Sequence, residues 1–542
     1  MSALSHTRDE AIGAVRCLQA GLIGFDRPDK VIAGLAAIRR FGALGGLPAL
    51  AAARHADRVA VIDERGPLTF NDLERRSNAV ADGWRTAGLR PGDGVGILVR
   101  NHRGFFDALF AAAKCGARIV LLNTDFAGPQ LRDVVAAEGI AMLVHDDEYT
   151  VALTGIPLRL GRWRAWADAD VPDGGPTLED LVAAGTTWPP PPPSRAASLV
   201  ILTSGTTGTP RGAVRDEPRG FGIAGGLLDR VPFRGRGVTE CCAPMFHALG
   251  LAQALLALGL GSTVVIRRRF DARATLDSMV RHRVTALVVV PVMLQKILEI
   301  APEPRQAPGV RDLRIIFVAG SQLGEALCRR VSDAFGPVVY NLYGSTEVAY
   351  ATIATPDDLM AEPGCVGRPV RGVTVKILDG EGREVPTGTT GRVFVGSGVQ
   401  FQGYTDGDTK EVVGGLMSSG DLGHFDHRRR LFIDGREDDL VVSGGEKMLP
   451  SEIEELLARH PDIVEAAALG VPDDTFGQRL AVYVVRRPGS AISEDGVRQH
   501  VRDNLARFKV PRDVVFLDEL PRNPTGKVLK RALDPASPAR GQ

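Results

Sequence analysis

The chain has 542 residues, more than one ordinary hydrophobic core organises, so two or more domains are expected. Lys plus Arg (65) balance Asp plus Glu (65), while apolar residues make up 44% and charged residues 24%. This excludes a largely disordered or collagen-like chain, and the lack of a basic excess argues against a nucleic-acid partner.

Residues 1–50 carry interspersed apolar and Arg positions and are expected to add a helix against a large domain. No basic-then-apolar leader pattern opens the sequence, so a cytoplasmic location is expected. Peripheral membrane contact by this segment stays open, as does oligomeric state. Apolar, β-branched runs then recur at 95–99, 118–122, 199–202, 263–266, 284–290, 315–318 and 338–342. Continuous runs of this kind suit parallel strands covered on both faces. Helical patterns at 72–84 and 325–335 lie between them, which predicts α/β layers. The most apolar stretch, Leu249 to Ile266, reads as a buried helix followed by a strand, short of a membrane span. Pro189 to Pro193 form a stiff surface linker.

The character changes near residue 436. Ser451 and Glu454 stand in a capping-box pattern before Ile453, Leu456 and Leu457. Strands at 465–471 and 480–485 and a helix at 497–505 complete a small mixed domain. The expected division is an extension to residue 50, a large domain from 51 to 436 and a small α+β domain from 437 to 542.

Six scattered cysteines (Cys17, Cys115, Cys241, Cys242, Cys328, Cys365) form no C-x-x-C pair and indicate a reducing compartment. Nine of the cations are Lys and 56 are Arg, so each retained Lys merits inspection.

Six segments carry chemistry. The strand at 199–202 runs into Thr203-Ser-Gly-Thr-Thr-Gly-Thr-Pro-Arg-Gly212. Glycines there allow close backbone approach, hydroxyls and amides donate to phosphate oxygens, and Arg211 adds charge. The spacing is not that of a P-loop. Downstream come Ala319-Gly-Ser-Gln-Leu323, Tyr343-Gly-Ser-Thr-Glu347, Ser419-Gly-Asp421, Gly435 to Lys447 and Pro521-Arg-Asn-Pro-Thr-Gly-Lys527.

Together these strings resemble the acyl-adenylate-forming superfamily, in the family's order and over about Arg54 to Leu533. Asn101 to Phe105 and Leu121 to Leu131 look like an actinobacterial fatty-acyl-CoA ligase branch. The resemblance implies a large domain of parallel sheets layered with helices, a mobile C-terminal domain, and an ATP- and Mg2+-dependent ligase with coenzyme A as co-substrate. It implies that Thr203, Ser204, Gly205, Thr206, Thr207, Gly208 and Arg211 hold phosphates. Gly320, Ser321 and Gln322 would run along adenine, with Asn341, Tyr343 and Gly344 as further nucleotide contacts. Thr346 would contact phosphate and Glu347 would serve Mg2+. Asp421 and Arg436 would grip the ribose. Asp438 would be the hinge, with Ser443, Gly444 and Gly445 lining a coenzyme A tunnel. Lys527 would bridge the reacting carboxylate and the α-phosphate. Pro244-Met-Phe-His247 matches a stretch beside the acyl carboxylate, and no Asp stands there to pair an α-ammonium.

Two positions depart from the family pattern. Arg211 replaces a Lys, keeping charge but changing geometry. Arg392 replaces a Glu, with no functional reading from sequence. A medium- or long-chain fatty acid is the expected substrate. The alternatives are an acyl-AMP ligase loading a carrier protein and an aryl- or other-acid CoA ligase. A catalytically silent scaffold is disfavoured by the intact Glu347, Asp421, Arg436 and Lys527.

Overall fold

The computed structural model describes residues 3–24, 27–168, 175–203, 211–215, 220–301, 303, 310–398, 401, 403–405, 407–443, 446–473, 475–524 and 526–533. Two extended sheets carry most of this framework. The larger has nine strands, and its central six (Val339–Ser345, Ile315–Val318, Ala286–Val289, Val238–Cys241, Thr263–Val265, Val59–Asp63) are mutually parallel. Antiparallel strands close both ends. The second sheet has six strands, Arg162–Trp166, Ile140–Asp146, Gly94–Leu98, Arg118–Leu121, Ser198–Thr203 and Arg211–Arg215, antiparallel only at the last pair.

The expected strands and helices are present with ends shifted by a few residues. Helices Phe70–Thr86 and Arg103–Lys114 bury Trp84, Phe105, Phe106 and Phe110 between the sheets. Ile315–Val318 and Ala286–Val289 are wholly buried, which is why they read as unbroken apolar runs. The segment after Pro189 is irregular, as its composition requires. Arg40 and Arg85 donate to the Pro190 and Pro191 carbonyls at 3.0 and 3.2 Å and pin it down.

Residues 374–436 break the α/β rhythm. Thr374–Leu378, Gly391–Gly396, Val412–Val413, Leu416–Phe425 and Leu431–Arg436 form a five-stranded antiparallel sheet. Its strands bury one face and carry Gly at turns, so they give a weaker apolar signal than the parallel strands. From Val441 onward the chain has cores of its own, around Ile453, Leu457, Val482 and Val497, and around Tyr483 and Leu520. There the strands Ile463–Asp473, Gly477–Arg486 and Asp513–Leu517 form a sheet backed by helices Pro450–Ala458 and Glu494–Asn504.

The capping box at Ser451 does not form. Pro450 starts the helix and Leu449 is its N-cap residue, with no side-chain cap. Ser451 donates instead to the Asp434 carbonyl, and Glu454 accepts from the Ala468 amide at 2.8 Å. Contacts to neighbouring elements have drawn both side chains away from the local helix end.

The N-terminal extension is two helices, Ala3–Ala20 and Pro28–His55. The second is long and apolar enough by composition to cross a membrane. Gly42 (φ 76°, ψ 176°) breaks it, and the two arms fold back on each other. A Cβ on Gly46 would meet Ile38 Cα at 2.7 Å, and one on Gly34 would meet Leu50 Cδ1 at 2.3 Å. The outer arm exposes Ile32 and Leu35, while the inner arm packs Gly45 against the backbone of Ala113 and Lys114.

Candidate active site

One cavity of about 1550 Å3 gathers most of the residues singled out from sequence. Its polar part lies at the carboxyl ends of neighbouring parallel strands, where ligands of open α/β sheets bind. Ala319, Gly320, Ser321 and Gln322 follow the strand Ile315–Val318 and line it. Asn341 to Glu347 line it from the next strand and the turn beyond. That turn is tight: Ser345 pairs with Ala349, and Ala349 has φ 63°. A Cβ on Gly344 would overlap the Ala349 carbonyl, so only glycine fits there.

Glu347 is oriented by hydroxyls. Ser345 Oγ donates to Oε2 at 2.7 Å and Tyr404 Oη to Oε1 at 2.8 Å. Both of these donors are neutral hydroxyls, and a carboxylate oriented this way suits a hard cation. No cluster of three or more His, Cys, Asp or Glu occurs among the described residues. An ion here would therefore draw its remaining ligands from a bound anion and water.

Asp421 reaches the cavity from the strand Leu416–Phe425. Its Oδ2 lies 2.6 Å from Tyr343 Oη, and its Oδ1 lies 3.4 Å from Arg436 Nη1. Burial pushes the Asp421 carboxyl upward, against the Tyr343 hydrogen bond and the Arg436 and Lys527 charges. Asp421 and Arg436 are direct partners across antiparallel strands, which explains how two residues 15 apart meet. Arg436 also holds Asp438, with Nε to Oδ1 at 3.0 Å. Burial opposes ionisation of Asp438, yet the guanidinium keeps its carboxyl below the usual range.

Thr203 ends one strand, and its backbone pairs with Arg211 at the start of the next. Ser204, Gly205, Thr206, Thr207 and Gly208 lie outside the described residues, as do Gly444 and Gly445. Arg211 lines the cavity and pairs with Asp408, Nη1 to Oδ2 at 2.6 Å, while its guanidinium sits 5.5 Å from the Tyr404 ring centroid.

Lys527 lines the same cavity from the C-terminal part of the chain. The turn that carries it is cross-braced: Asn523 donates its amide to the Lys527 carbonyl, and Asn523 Oδ1 accepts from the Lys527 amide, both at 2.9 Å. Gln322 donates to Glu455 at 2.6 Å and Arg459 pairs with Glu325 at 2.7 Å, joining the two parts of the chain. Ser443 is not among the residues lining the cavity; it sits on the hairpin of Val441–Ser443 and Glu446–Met448.

His247 is the N-cap residue of helix Ala248–Gly259 and lines the same cavity. Among the described residues its Nε2 has no hydrogen-bond partner. Burial pushes its pKa down to about 4, so the imidazole is neutral near pH 7. Beyond it the lining is leucine-rich, with Leu199, Leu202, Leu227, Leu249, Leu255 and Leu256. Gln253, on the helix face shared by Leu249 and Leu256, has a buried Oε1 without a partner among the described residues.

Several lining residues were not anticipated. Tyr404, Asp408 and Lys410 come from one loop, and Glu465 and Lys530 from the C-terminal part. They stand far in sequence from the groups they meet, and no local pattern marks them. Arg392 does gain a structural account: it pairs with Glu411 at 2.5 Å and with Glu437, next to Asp438, at 2.9 Å. It ties Glu437, just past the strand Leu431–Arg436, back to the antiparallel sheet.

This arrangement joins a cluster of carboxylate, guanidinium and hydroxyl groups to an apolar, leucine-rich lining, with a lysine and a neutral histidine in the same cavity. The sequence pattern of the AMP-binding enzyme family matches residues 49–405, and that of the AMP-binding enzyme C-terminal domain matches residues 452–527. The fatty acid–[acyl-carrier-protein] ligase ScoC of Streptomyces coeruleorubidus is 32% identical, over 88% of this chain and 92% of that protein. A feruloyl-CoA synthase of Amycolatopsis is also 32% identical, over 90% and 97%. Among solved structures, ATP-bound MatB from Rhodopseudomonas palustris superimposes with a TM-score of 0.78 at 27% identity, over 90% of this chain and 98% of that one.

Proposed function

The chain belongs to the AMP-binding enzyme family, and from that premise we propose that it is an AMP-forming ligase that activates an apolar carboxylic acid and transfers it to coenzyme A. The observation that carries this reading is the single cavity in which Asp421, Arg436, Thr346, Glu347 and Lys527 open onto a leucine-lined chamber past His247.

In the first step an acid oxygen forms a bond to the α-phosphorus of ATP, and the bond to pyrophosphate breaks. Asp421 and Arg436 take the ribose hydroxyls, and residues 319–322 run along the base. Thr346, Arg211 and the loop between Thr203 and Arg211 hold phosphate oxygens. Glu347 would hold Mg2+, which neutralises charge on the triphosphate. Lys527 lies between two anions that must approach, and its ammonium offsets their repulsion as charge redistributes. Neutral His247 meets the carboxylate end of the acid without adding charge.

In the second step the coenzyme A sulfur bonds to the acyl carbon and AMP leaves. We assign the domain boundary to the stretch around Arg436 and the hinge to Asp438, with rotation bringing Ser443, Gly444 and Gly445 to the site. One site then serves both steps through a domain movement. The chamber favours an aliphatic or otherwise apolar acid, and a medium- or long-chain fatty acid is our preferred substrate. Relatives whose names specify ferulate and a carrier-protein acceptor define the competing outcomes.

The test is acid-dependent ATP–pyrophosphate exchange across aliphatic, aryl and sterol acids, followed by thioester formation with coenzyme A or a carrier protein. Lys527→Ala is expected to abolish exchange while sparing thioester formation from supplied acyl-AMP. Equal loss of both steps would contradict the role given to Lys527, and no exchange with any acid would overturn the ligase reading.

A further inference from the structure

The family pattern begins at residue 49, yet Leu22, Leu44 and Leu47 line the apolar end of the cavity. Helix Ala248–Gly259 supplies Leu255, Leu256 and Gly259 to the same lining. The two walls approach closely. A Cβ on Gly259 would stand 3.0 Å from Leu22 Cδ1 and 3.8 Å from Leu47 Cδ1.

The N-terminal wall is anchored through backbone groups. Arg54 donates to the Leu22 and Gly21 carbonyls at 2.9 and 3.2 Å. The Gly235 amide donates to the Ala20 carbonyl at 2.7 Å. On the inner arm, Gly45 lies against the Ala113–Lys114 peptide, a contact of 3.2 Å for any added Cβ. Helix Ala3–Ala20 is fixed in turn by the Arg16–Asp229 pair at 2.6 Å, and by Glu10 accepting from the Phe221 and Gly222 amides at 2.8 and 3.1 Å. A wall held this way is in place before any acid enters, so its side chains define a fixed volume.

We propose that the N-terminal helices form the distal wall of the acyl subsite and set the size of the acid the enzyme accepts. The inference rests on the ligase reading of this site and adds to it a determinant outside the matched family span. Leu22, Leu44 and Leu47 are specificity-determining residues that touch the far end of the acyl group. The acid class is one with an apolar, uncharged far end, because these three side chains offer no hydrogen bond or counter-charge. Each methylene placed in such a pocket changes discrimination between neighbouring chain lengths by roughly tenfold.

The test compares the full-length wild type, Leu47→Trp and the double variant Leu44→Ala/Leu47→Ala. The readout is the ratio of kcat/KM for long over short straight-chain acids, from acetate to tetracosanoate, in ATP–pyrophosphate exchange. Leu47→Trp is expected to lower that ratio at least roughly tenfold, and the double variant to move the preferred length upward. A folding defect would lower all acids by one factor, so unchanged ratios in both variants overturn the wall. If the wild type shows no exchange with any acid, the ligase reading fails by itself. Binding of a dansyl-labelled fatty acid then decides the wall: weaker binding to Leu47→Trp than to wild type sustains it, and equal binding overturns it.

Discussion

Gly526 seats the C-terminal turn directly on Val292 of the large domain. A Cβ at Gly526 would come within 2.5 Å of Val292 Cγ1 and 3.2 Å of Val290 Cγ2. The residue also has φ 76°, which other side chains adopt at a cost of about 1–2 kcal/mol. Both effects act on the residue just before Lys527. The pose that brings Lys527 to the cavity therefore depends on a missing side chain.

Gly526→Ala should disfavour that pose, both through the clash with Val292 and through backbone strain in the turn. Acid-dependent ATP–pyrophosphate exchange is expected to fall roughly tenfold, since about 1.4 kcal/mol is a factor of ten. Thioester formation from supplied acyl-AMP should fall far less. Equal losses in the two assays would refute the link between this contact and adenylation.

The segment around Asp438 joins the two parts of the chain and is tethered on one side by Arg392–Glu437 and on the other by Arg436–Asp438. Asp438→Pro should fix the backbone there, retaining adenylation and suppressing thioester formation. Arg392→Ala should loosen the tether and change the relative rates of the two steps by a few-fold, as expected for a partly exposed pair. Pre-steady-state measurement of acyl-AMP and thioester in one reaction checks both.

His247 gives a pH signature. Its folded pKa, pushed down by burial, is about 4 against 6.5 for the unfolded group. Between those values the unfolded chain binds more protons, so stability rises with pH across that window. The stability is present above pH 6.5 and is lost as pH falls toward 4, by roughly 3 kcal/mol at most. His247→Gln should lose less stability than wild type between pH 7 and pH 5 in urea titrations. Identical slopes would mean the imidazole is not buried as described.

Arg211 is paired with Asp408, with both side chains partly exposed. Solvent screens so exposed a pair and leaves it weak, so phosphate can compete for the guanidinium. Asp408→Asn should lower KM for ATP by less than about fivefold, and Arg211→Ala should raise it. Arg211→Lys, which restores charge without the fork, should recover part of the loss. Exchange kinetics at varied ATP would contradict this if Asp408→Asn raised KM.

Much of the fold was legible because parallel strands buried on both faces write themselves as apolar runs. Helix Glu325–Phe335 and strand Ile315–Val318 appear at the expected residues. The antiparallel sheet at 374–436 was harder to read, since its half-buried strands alternate and are broken by glycine turns. The local capping signal at Ser451 misled because the Asp434 carbonyl outcompeted the helix end for its hydroxyl. At the site, contiguous motifs were readable and long-range partners were not. Nothing local connects Tyr404 to Glu347, 57 positions away, although their hydrogen bond is 2.8 Å.

Lysine use shows where sequence ends and structure begins. In a chain with nine lysines and 56 arginines, a retained lysine is informative, and Lys527 stood out with its flanking turn. Lys114 was retained too, yet it is fully buried among Glu74, Ser77 and Asn78, at 2.7, 2.8 and 2.6 Å. The sequence by itself determined the family, the layered fold and the short motifs, because these depend on local periodicity and on residues adjacent in the chain. Tertiary structure alone decided which charges face the cavity, which are consumed in internal pairs, and that Leu22, Leu44 and Leu47 line the same cavity. Those outcomes depend on which distant segments the packing brings within a few ångströms, and local sequence carries no record of that distance.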